Sequence, residues 1–144
     1  MKTVEMTADA VQAAAAVIPE DTPFHMVNLL RYKERADYGD RTDVAPCSGR
    51  EAYYLRYLPA FNRVASAEGL AEGITVTWIG TVIARLVAPP DEQWDDMAIV
   101  EYPSFAAFQH VIENPRYTSE ADPHRRAALE DWRLIATAKV TLSG

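Results

Sequence analysis

Residues 24–32 read FHMVNLLRY and predict the first strand of the fold. In an extended strand, successive side chains point to opposite faces of the sheet. One face would carry Phe24, Met26, Asn28, Leu30 and Tyr32, and the other would carry His25, Val27, Leu29 and Arg31. Both faces are mainly apolar in the middle, so we expect this strand to be covered on both sides.

Two apolar stretches in the second half of the chain predict a pair of strands. Residues 74–88 alternate imperfectly between apolar and polar side chains, and Gly80 is a candidate for a bulge. The turn sequence PPDE (89–92) separates this stretch from a second strand over 94–102. The short connection predicts an antiparallel pair. A last strand is predicted over 133–142.

The first long helix is marked by the sequence SGRE (48–51). This is a capping box, in which a serine oxygen and a glutamate bond the free backbone N–H groups at a helix start. The helix extends toward Gly69, which is a suitable residue just beyond a helix end. It contains Pro59, which should kink or divide it.

Three further helices are predicted from their end signals. Thr7 can cap an alanine-rich helix near the N-terminus. Ser104 begins a helix that ends at Asn114-Pro115. The pair Asp122-Pro123 combines a capping carboxylate with a proline in the first turn, and it starts a helix that continues through 127–131.

The predicted order is an appended helix followed by β-α-β-β-α-β. This is the order of ferredoxin-like α+β folds, in which a four-stranded antiparallel sheet carries its helices on one face. We expect 1–144 to form a single domain of this kind, with 1–20 as the appended helix. The polar segment 33–47 is predicted to be a long loop, either a functional lid or a mobile surface insertion. Because helices cover only one face, the doubly apolar strands predict a homodimer packed sheet to sheet.

The composition excludes several classes of partner. The chain has 144 residues, with 14 Lys and Arg against 21 Asp and Glu, and a formal net charge of −7. No basic run offers the clustered positive charge that nucleic acid or an anionic membrane requires. The N-terminus lacks an apolar signal region, and the one cysteine, Cys47, cannot form an internal disulfide. We therefore expect a cytoplasmic protein in which Cys47 is an incidental thiol rather than a nucleophile.

From Met26 onward the chain resembles the DUF1330 family, which lies within the dimeric α/β-barrel superfamily. The stretches that carry the resemblance are VNLL (27–30), SGREAY (48–53), WD (94–95), VEYPS (100–104), NPRY (114–117), HR (124–125) and AALED (127–131). The resemblance implies a ferredoxin-like fold and a dimeric α/β barrel. It implies no function, because none is established for that family and because a fold does not carry a function with it. Trp132 departs from the pattern, since a small residue is expected there.

The sequence contains no recognisable motif for a metal or a cofactor. His25, His110 and His124 do not have the spacing of metal ligands. The six glycines are scattered and form neither a phosphate loop nor a dinucleotide fingerprint. No Gly-x-Ser-x-Gly elbow is present. We therefore expect neither a metal nor an organic cofactor, and these patterns disfavour hydride transfer and nucleophilic hydrolysis.

Polar and aromatic side chains near the predicted core are the candidates for ligand contact. Asn28 is an amide within an apolar strand, and a buried amide needs hydrogen-bond partners, either in the protein or on a ligand. Tyr53, Tyr54 and Tyr57 lie at helical spacing, where they form either core packing or the rim of a pocket. The predicted ligand-binding residues are Tyr32, Tyr54, Tyr57, Trp78 and Tyr117.

The candidate catalytic residues are His124 and Arg125, together with Asn28. If the last helix starts at Asp122, the pair lies in its first turn, where the helix dipole disfavours cations and favours anions. The pair would then bind a carboxylate, phosphate or enolate. His124 would be a neutral acid or base, and Arg125 would hold negative charge. The competing interpretation is that nearby acids simply pair with both residues.

Three functions are compatible with these features. The first is a small-molecule enzyme without a cofactor, which transfers a proton or oxygenates an enolisable compound whose carbonyl is oriented by Asn28. The second is a non-catalytic dimeric protein that binds a small ligand in the same pocket. The third is a structural dimer without a ligand. A cavity reaching Asn28 and His124 would favour the first two, and a filled core would favour the third.

Overall fold

The computed structural model describes residues 1–143, and its framework is a single sheet. The strands are β1 (Phe24–Tyr32), β2 (Thr75–Thr81), β3 (Asp96–Tyr102) and β4 (Leu129–Thr137). They form a four-stranded antiparallel sheet in the order β2-β3-β1-β4, with β1 bonded to β3 and β4. The predicted α+β fold, with its ferredoxin-like topology, is confirmed.

The helices pack on one face of this sheet. They are α1 (Ala8–Val17), α2 (Gly49–Glu51, Ala52–Tyr57 and Leu58–Ala67 in one continuous run), α3 (Phe105–Ile112) and α4 (Tyr117–Ala121 continued by Asp122–Ala128). The predicted caps are confirmed at Ser48, Ser104 and Thr7, whose side-chain oxygens accept backbone N–H groups of the first turns. Gly69 has the left-handed φ of +72° expected after a helix end.

Pro59 changes α2 without dividing it. The six residues before Leu58 form a π-helical turn, in which the Leu58 N–H bonds the Tyr53 carbonyl five residues earlier. Pro59 lies at the start of the α-helical part that follows. The wider turn accommodates a proline, because some helical hydrogen bonds are already rearranged there.

The predicted ends of the strands need correction. β2 ends at Thr81 rather than near residue 88, and its register shift lies between Val76 and Trp78 rather than at Gly80. A Cβ at Gly80 would lie 2.8 Å from the Trp78 indole nitrogen, so a larger residue there would require the indole to move. β4 starts at Leu129, so 129–131 belong to the strand and not to the preceding helix. Pairing of Leu129 with Tyr32 of β1 overrides the helical propensity of the alanines before it.

Helices cover one face of the sheet and leave the other face uncovered in the single chain. The core lies on the helix side, where Phe24, Met26, Asn28 and Leu30 of β1 are buried. The opposite, helix-free face carries apolar side chains from every strand. They are Val27, Leu29, Trp78, Met97, Ile99 and Ile135. Trp78 is 58% and Ile135 50% exposed in the single chain. The predicted apolar character of both faces of β1 is therefore confirmed.

Residues 1–6 form a strap along the outer edge of β4. The Trp132 N–H donates to the Thr3 carbonyl at 2.9 Å, and the Thr3 N–H donates to Asp131 Oδ1 at 3.0 Å. The guanidinium of Arg133 donates to the Met1 carbonyl at 2.9 Å. The strap leads into α1, whose Val11 packs in the core beside Phe24 and Phe105.

The loop 33–47 lies against α4 and the start of α2. The Asp37 N–H donates to the Ala127 carbonyl at 2.9 Å, and the Ala36 N–H closes the loop on the Cys47 carbonyl at 3.0 Å. Gly49 follows the loop at a tight crossing, where a Cβ would lie 2.2 Å from the Lys33 carbonyl oxygen. The loop is thus anchored to the last helix by backbone hydrogen bonds.

Candidate functional site

A cavity of about 130 Å³ lies between the helix side of the sheet and α2, α3 and α4. Its walls are mainly apolar, with a few polar groups. The lining residues that matter below are Met6, Asn28, Tyr53, Tyr57, Tyr102, Tyr117 and Trp132. Its open side lies beside β2, where Val76 and Ile79 are 58% and 43% exposed. A mainly apolar pocket with a few placed polar groups is the usual form of a small-molecule site.

Asn28 lies at the middle of β1 and is 7% exposed. Its side-chain oxygen accepts the Trp132 indole N–H at 3.1 Å. The indole can only donate, so this bond fixes which end of the amide is oxygen. Within residues 1–143 the Asn28 amide nitrogen has no hydrogen-bond partner. Because Asn28 lines the cavity, this nitrogen can donate to a molecule bound there.

Four buried phenols line the same cavity: Tyr53, Tyr57, Tyr102 and Tyr117. The hydroxyls of Tyr57 and Tyr117 bond each other at 2.9 Å. The hydroxyls of Tyr53 and Tyr102 have no partner in the described part of the chain. Burial raises the pKa of all four phenols above the ordinary value. They are therefore neutral at physiological pH and bring donor protons to the cavity.

A second polar cluster surrounds Asp96 at the start of β3. This carboxylate is completely buried, and its Oδ2 accepts from the Tyr54 hydroxyl at 2.5 Å, the Tyr32 hydroxyl at 2.7 Å and the Arg50 guanidinium at 2.7 Å. Burial alone would raise the pKa of Asp96, but these hydrogen bonds outweigh it and lower the pKa. Asp96 Oδ1 is buried and has no partner among residues 1–143.

The predicted ligand-binding residues therefore lie in three places. Tyr57 and Tyr117 line the cavity together with Asn28. Tyr32 and Tyr54 instead hold Asp96. Trp78 lies on the helix-free face, because the register shift at Val76 and Trp78 turns its side chain away from the helices. No sequence motif singled out Tyr53, Tyr102 or Asp96 as a polar group of either cluster, although Tyr53 was noted as part of an aromatic stripe.

The predicted first-turn position of His124 and Arg125 is wrong. The helix begins earlier, at Pro115, where Asn114 Oδ1 caps it by accepting the Arg116 N–H at 2.8 Å. Asp122 makes no cap hydrogen bond. Arg125 consequently lies in the last turn, where the helix dipole favours cations instead of opposing them. The anion-binding argument from the helix N-terminus therefore fails.

Arg125 and His124 do not line the central cavity. Arg125 is 1% exposed, and it donates to Asp122 at 2.8 Å and to the Val4 carbonyl at 2.6 Å while its guanidinium lies over the Trp132 ring. Arg125 therefore fits the competing interpretation, in which a nearby acid, here Asp122, pairs with the cation in place of a ligand. The residue ties the strap to α4 behind one wall of the cavity.

His124 is half-buried beneath the loop 33–47. Its Nδ1 lies 2.7 Å from the Tyr38 hydroxyl of that loop. Burial lowers the pKa of His124, and the charges of Arg56, Arg41 and Arg63 lower it further. A neutral imidazole can accept a hydrogen bond from the Tyr38 hydroxyl, and this bond ties the loop 33–47 to His124. Its role as an acid or base stays a prediction.

Among residues 1–143, no group of three or more His, Cys, Asp or Glu side chains is arranged to hold a metal ion. In the same part of the chain, no helix has both the length and the apolar character needed to cross a membrane.

Comparison with solved structures gives two full-length matches. The RPA0582 protein of Rhodopseudomonas palustris, a protein of unknown function, is 34% identical over 99% of this chain and 100% of its own, with a TM-score of 0.78. The methylated RPA0582 protein gives 37% identity over 97% of this chain and 96% of its own, with a TM-score of 0.77. This chain belongs to the RPA0582 family.

No protein-family model matches the chain, and no curated protein matches it. A dimeric protein of ferredoxin-like fold and unknown function from Bacteroides fragilis NCTC 9343 is a more distant structural match. It is 13% identical over 82% of this chain and 97% of its own, with a TM-score of 0.40.

Proposed function

We propose that the protein binds a small molecule in the cavity between its sheet and its helices. The observation that carries this proposal is the Asn28 side chain, which is only 7% exposed, lines a mainly apolar cavity, and has an amide nitrogen without a hydrogen-bond partner in residues 1–143. Polar groups of largely buried side chains usually have hydrogen-bond partners, and in a mainly apolar pocket a few such groups orient the ligand. The indole of Trp132 holds the amide in the orientation that presents this nitrogen.

The test is a binding titration followed by NMR, using a panel of small aromatic and cyclic compounds. Saturable shifts of the Asn28 side-chain NH2 and the Trp132 indole N–H would support the proposal. A rise in unfolding temperature with ligand concentration should accompany them, since a ligand that binds only the folded state stabilises it. If the whole panel leaves both signals unchanged, or shifts only residues outside the cavity, the proposal fails.

The second candidate is an enzyme that transfers protons or oxygenates an enolisable compound without a cofactor. The paired hydroxyls of Tyr57 and Tyr117 favour it, because a hydrogen-bonded pair of phenols can pass a proton to a bound carbonyl oxygen. The positive charge of Arg125 acts to lower the pKa of both phenols, against the larger effect of burial. Exchange of deuterium from solvent into a bound ketone, lost in Tyr117→Phe, would support this candidate.

We also propose that the protein is a homodimer joined through the helix-free face. Uncovered apolar side chains such as Trp78 and Ile135 support this pairing. The segment after β2 supports it as well, since Ile83, Leu86 and Val87 are each at least 95% exposed in the single chain. Large apolar patches of this kind mark surfaces that associate.

Two finer assignments complete the proposal. We propose that the RPA0582 family corresponds to the DUF1330 family, on the basis of stretches such as SGREAY (48–53) and NPRY (114–117). We also propose a cytoplasmic location, because the one cysteine is a free thiol and a reducing compartment keeps it so.

A further inference from the structure

The unpaired donors of the cavity restrict the chemistry of its ligand. Tyr53, Tyr102 and Asn28 are 5%, 6% and 7% exposed, and all three line the cavity. Each presents at least one donor hydrogen for which residues 1–143 offer no acceptor. An occupant that expels water from the cavity would leave these donors without an acceptor, which is costly, so the occupant has to bring acceptor atoms.

Part of the acceptor capacity of the cavity wall is already in use, and what remains is on the phenol oxygens and on the exposed amide of Asn62. Asn28 Oδ1 accepts the Trp132 indole, and the hydroxyls of Tyr57 and Tyr117 bond each other. Among the described lining residues there is no Asp, Glu, Lys, Arg or His. A charged ligand would therefore lose its hydration without gaining a counterion, which is strongly unfavourable. The Asn28 NH2 group can only donate, so a ligand whose polar groups are all donors would leave it without an acceptor.

We infer that the ligand is an uncharged, largely apolar molecule whose polar atoms are oxygen acceptors, of the class of ketones, lactones and quinones. This inference rests on the proposed binding function and names the class of compound that the same cavity takes. The carbonyl oxygen of such a ligand can accept two hydrogen bonds, one for each of its lone pairs. The apolar remainder of the ligand would contact the aromatic and aliphatic walls.

Acetophenone and ethylbenzene are a matched pair of probes, since a carbonyl in one stands where the other has a methylene. Benzoate adds the anionic case. Binding of each would be measured by NMR titration to the wild-type protein and to the variants Tyr53→Phe and Tyr102→Phe. These substitutions remove only a hydroxyl that has no partner in residues 1–143, so we expect both variants to fold and to unfold at or above the wild-type temperature.

Removing either hydroxyl should weaken acetophenone binding by about threefold to tenfold and leave ethylbenzene binding unchanged or improved. Benzoate should not bind measurably. Tyr54→Phe is the control, because its hydroxyl bonds Asp96 outside the cavity, and it should leave the ratio of the two affinities unchanged.

The outcomes separate the two claims. If no compound of the panel binds in the cavity, the proposed binding function fails, and the inference fails with it. If neither acetophenone nor ethylbenzene binds there but another panel compound does, the function stands and the inference is overturned. If both bind but neither Tyr→Phe variant changes their ratio, or if benzoate binds more tightly than acetophenone, the function stands and the inference is overturned.

Discussion

The indole N–H of Trp132 on β4 donates to the side-chain oxygen of Asn28 on β1 across 3.1 Å. Trp132 is opposite Leu30, and Asn28 is opposite Leu134, so the two residues are diagonal neighbours on the helix side of the sheet. The bond gives a buried amide a fixed orientation. It also accounts for a large aromatic residue at a position where the DUF1330 resemblance implies a small one.

The first prediction concerns this bond. Trp132→Phe keeps an aromatic ring but removes the donor, leaving the Asn28 oxygen buried without a partner. We expect a loss of about 1–3 kcal/mol in the free energy of unfolding, measured by urea denaturation. Trp94→Phe is the matched control, because that indole bonds Glu92 at the surface, and it should cost less than about 0.5 kcal/mol. Equal effects of the two substitutions would contradict the assigned role of Trp132.

The second prediction concerns Asp96. Asp96→Asn keeps the shape of the side chain but weakens three charge-assisted hydrogen bonds, so we expect it to cost about 2–3 kcal/mol at pH 7. The folded state lowers the pKa of Asp96 from its ordinary value of 3.8, so the carboxylate stabilises the fold above that pH. This stabilisation is lost as the pH falls through the folded-state pKa.

Urea denaturation of wild type and Asp96→Asn between pH 7 and pH 3 would test this pH dependence. The stability difference between the two proteins should be constant near neutrality and should narrow below about pH 3.8. Asp43→Asn, at an exposed pair with Arg41, should show no measurable difference. If the difference in unfolding free energy between wild type and Asp96→Asn instead grew as the pH fell, the prediction would be wrong.

The third prediction separates a structural from a ligand-binding role for Arg125. Arg125→Met removes a buried guanidinium that joins α4 to the strap, so we expect a loss of about 3 kcal/mol in stability and faster hydrogen exchange in residues 1–6. Arg126→Met breaks only half-exposed ion pairs and should cost less than about 1 kcal/mol. Unchanged stability in Arg125→Met, together with weaker binding of a small anion, would favour the ligand-binding role instead.

The fourth prediction concerns the helix-free face. Trp78→Glu places a charge within the proposed dimer interface, where it would be desolvated without a partner. Light scattering at micromolar concentration should give twice the chain mass of 16.0 kDa for wild type and a single chain mass for the variant. Leu55→Glu, at a 70% exposed position on α2, should stay dimeric. A wild-type protein that scatters as a 16.0 kDa species would end the dimer proposal.

Local signals explain which parts of the fold were predictable. The apolar run in 24–32 and the capping box at 48–51 act over a few residues, and the structure confirms the strand and the cap that they predict. The end of α4 was not predictable in this way. Ala127 and Ala128 favour a helix, and the switch to a strand at Leu129 is imposed by pairing with Tyr32, nearly a hundred residues away.

The candidate site was predictable only in part, for a similar reason. Asn28 was identifiable because an amide in an apolar strand breaks a local rule. Asp96 was not, since an acid at the start of a strand looks solvated until Tyr32, Tyr54 and Arg50 are brought around it. His124 and Arg125 were misplaced because Asp122-Pro123 has the features of a helix start, whereas Asn114-Pro115 is the actual one.

The π-helical turn at Ala52–Tyr57 lies in a helix that contributes side chains both to the cluster around Asp96 and to the cavity. A π turn holds an extra residue, which shifts the angular positions of all side chains beyond it by about 100° relative to an uninterrupted α-helix. Arg50 and Tyr54, before and within the turn, reach the Asp96 carboxylate, while Tyr57 and Phe61, at and beyond its end, face the cavity. A relative with one residue fewer in this turn could keep the same fold yet retain only one of the two groups in register.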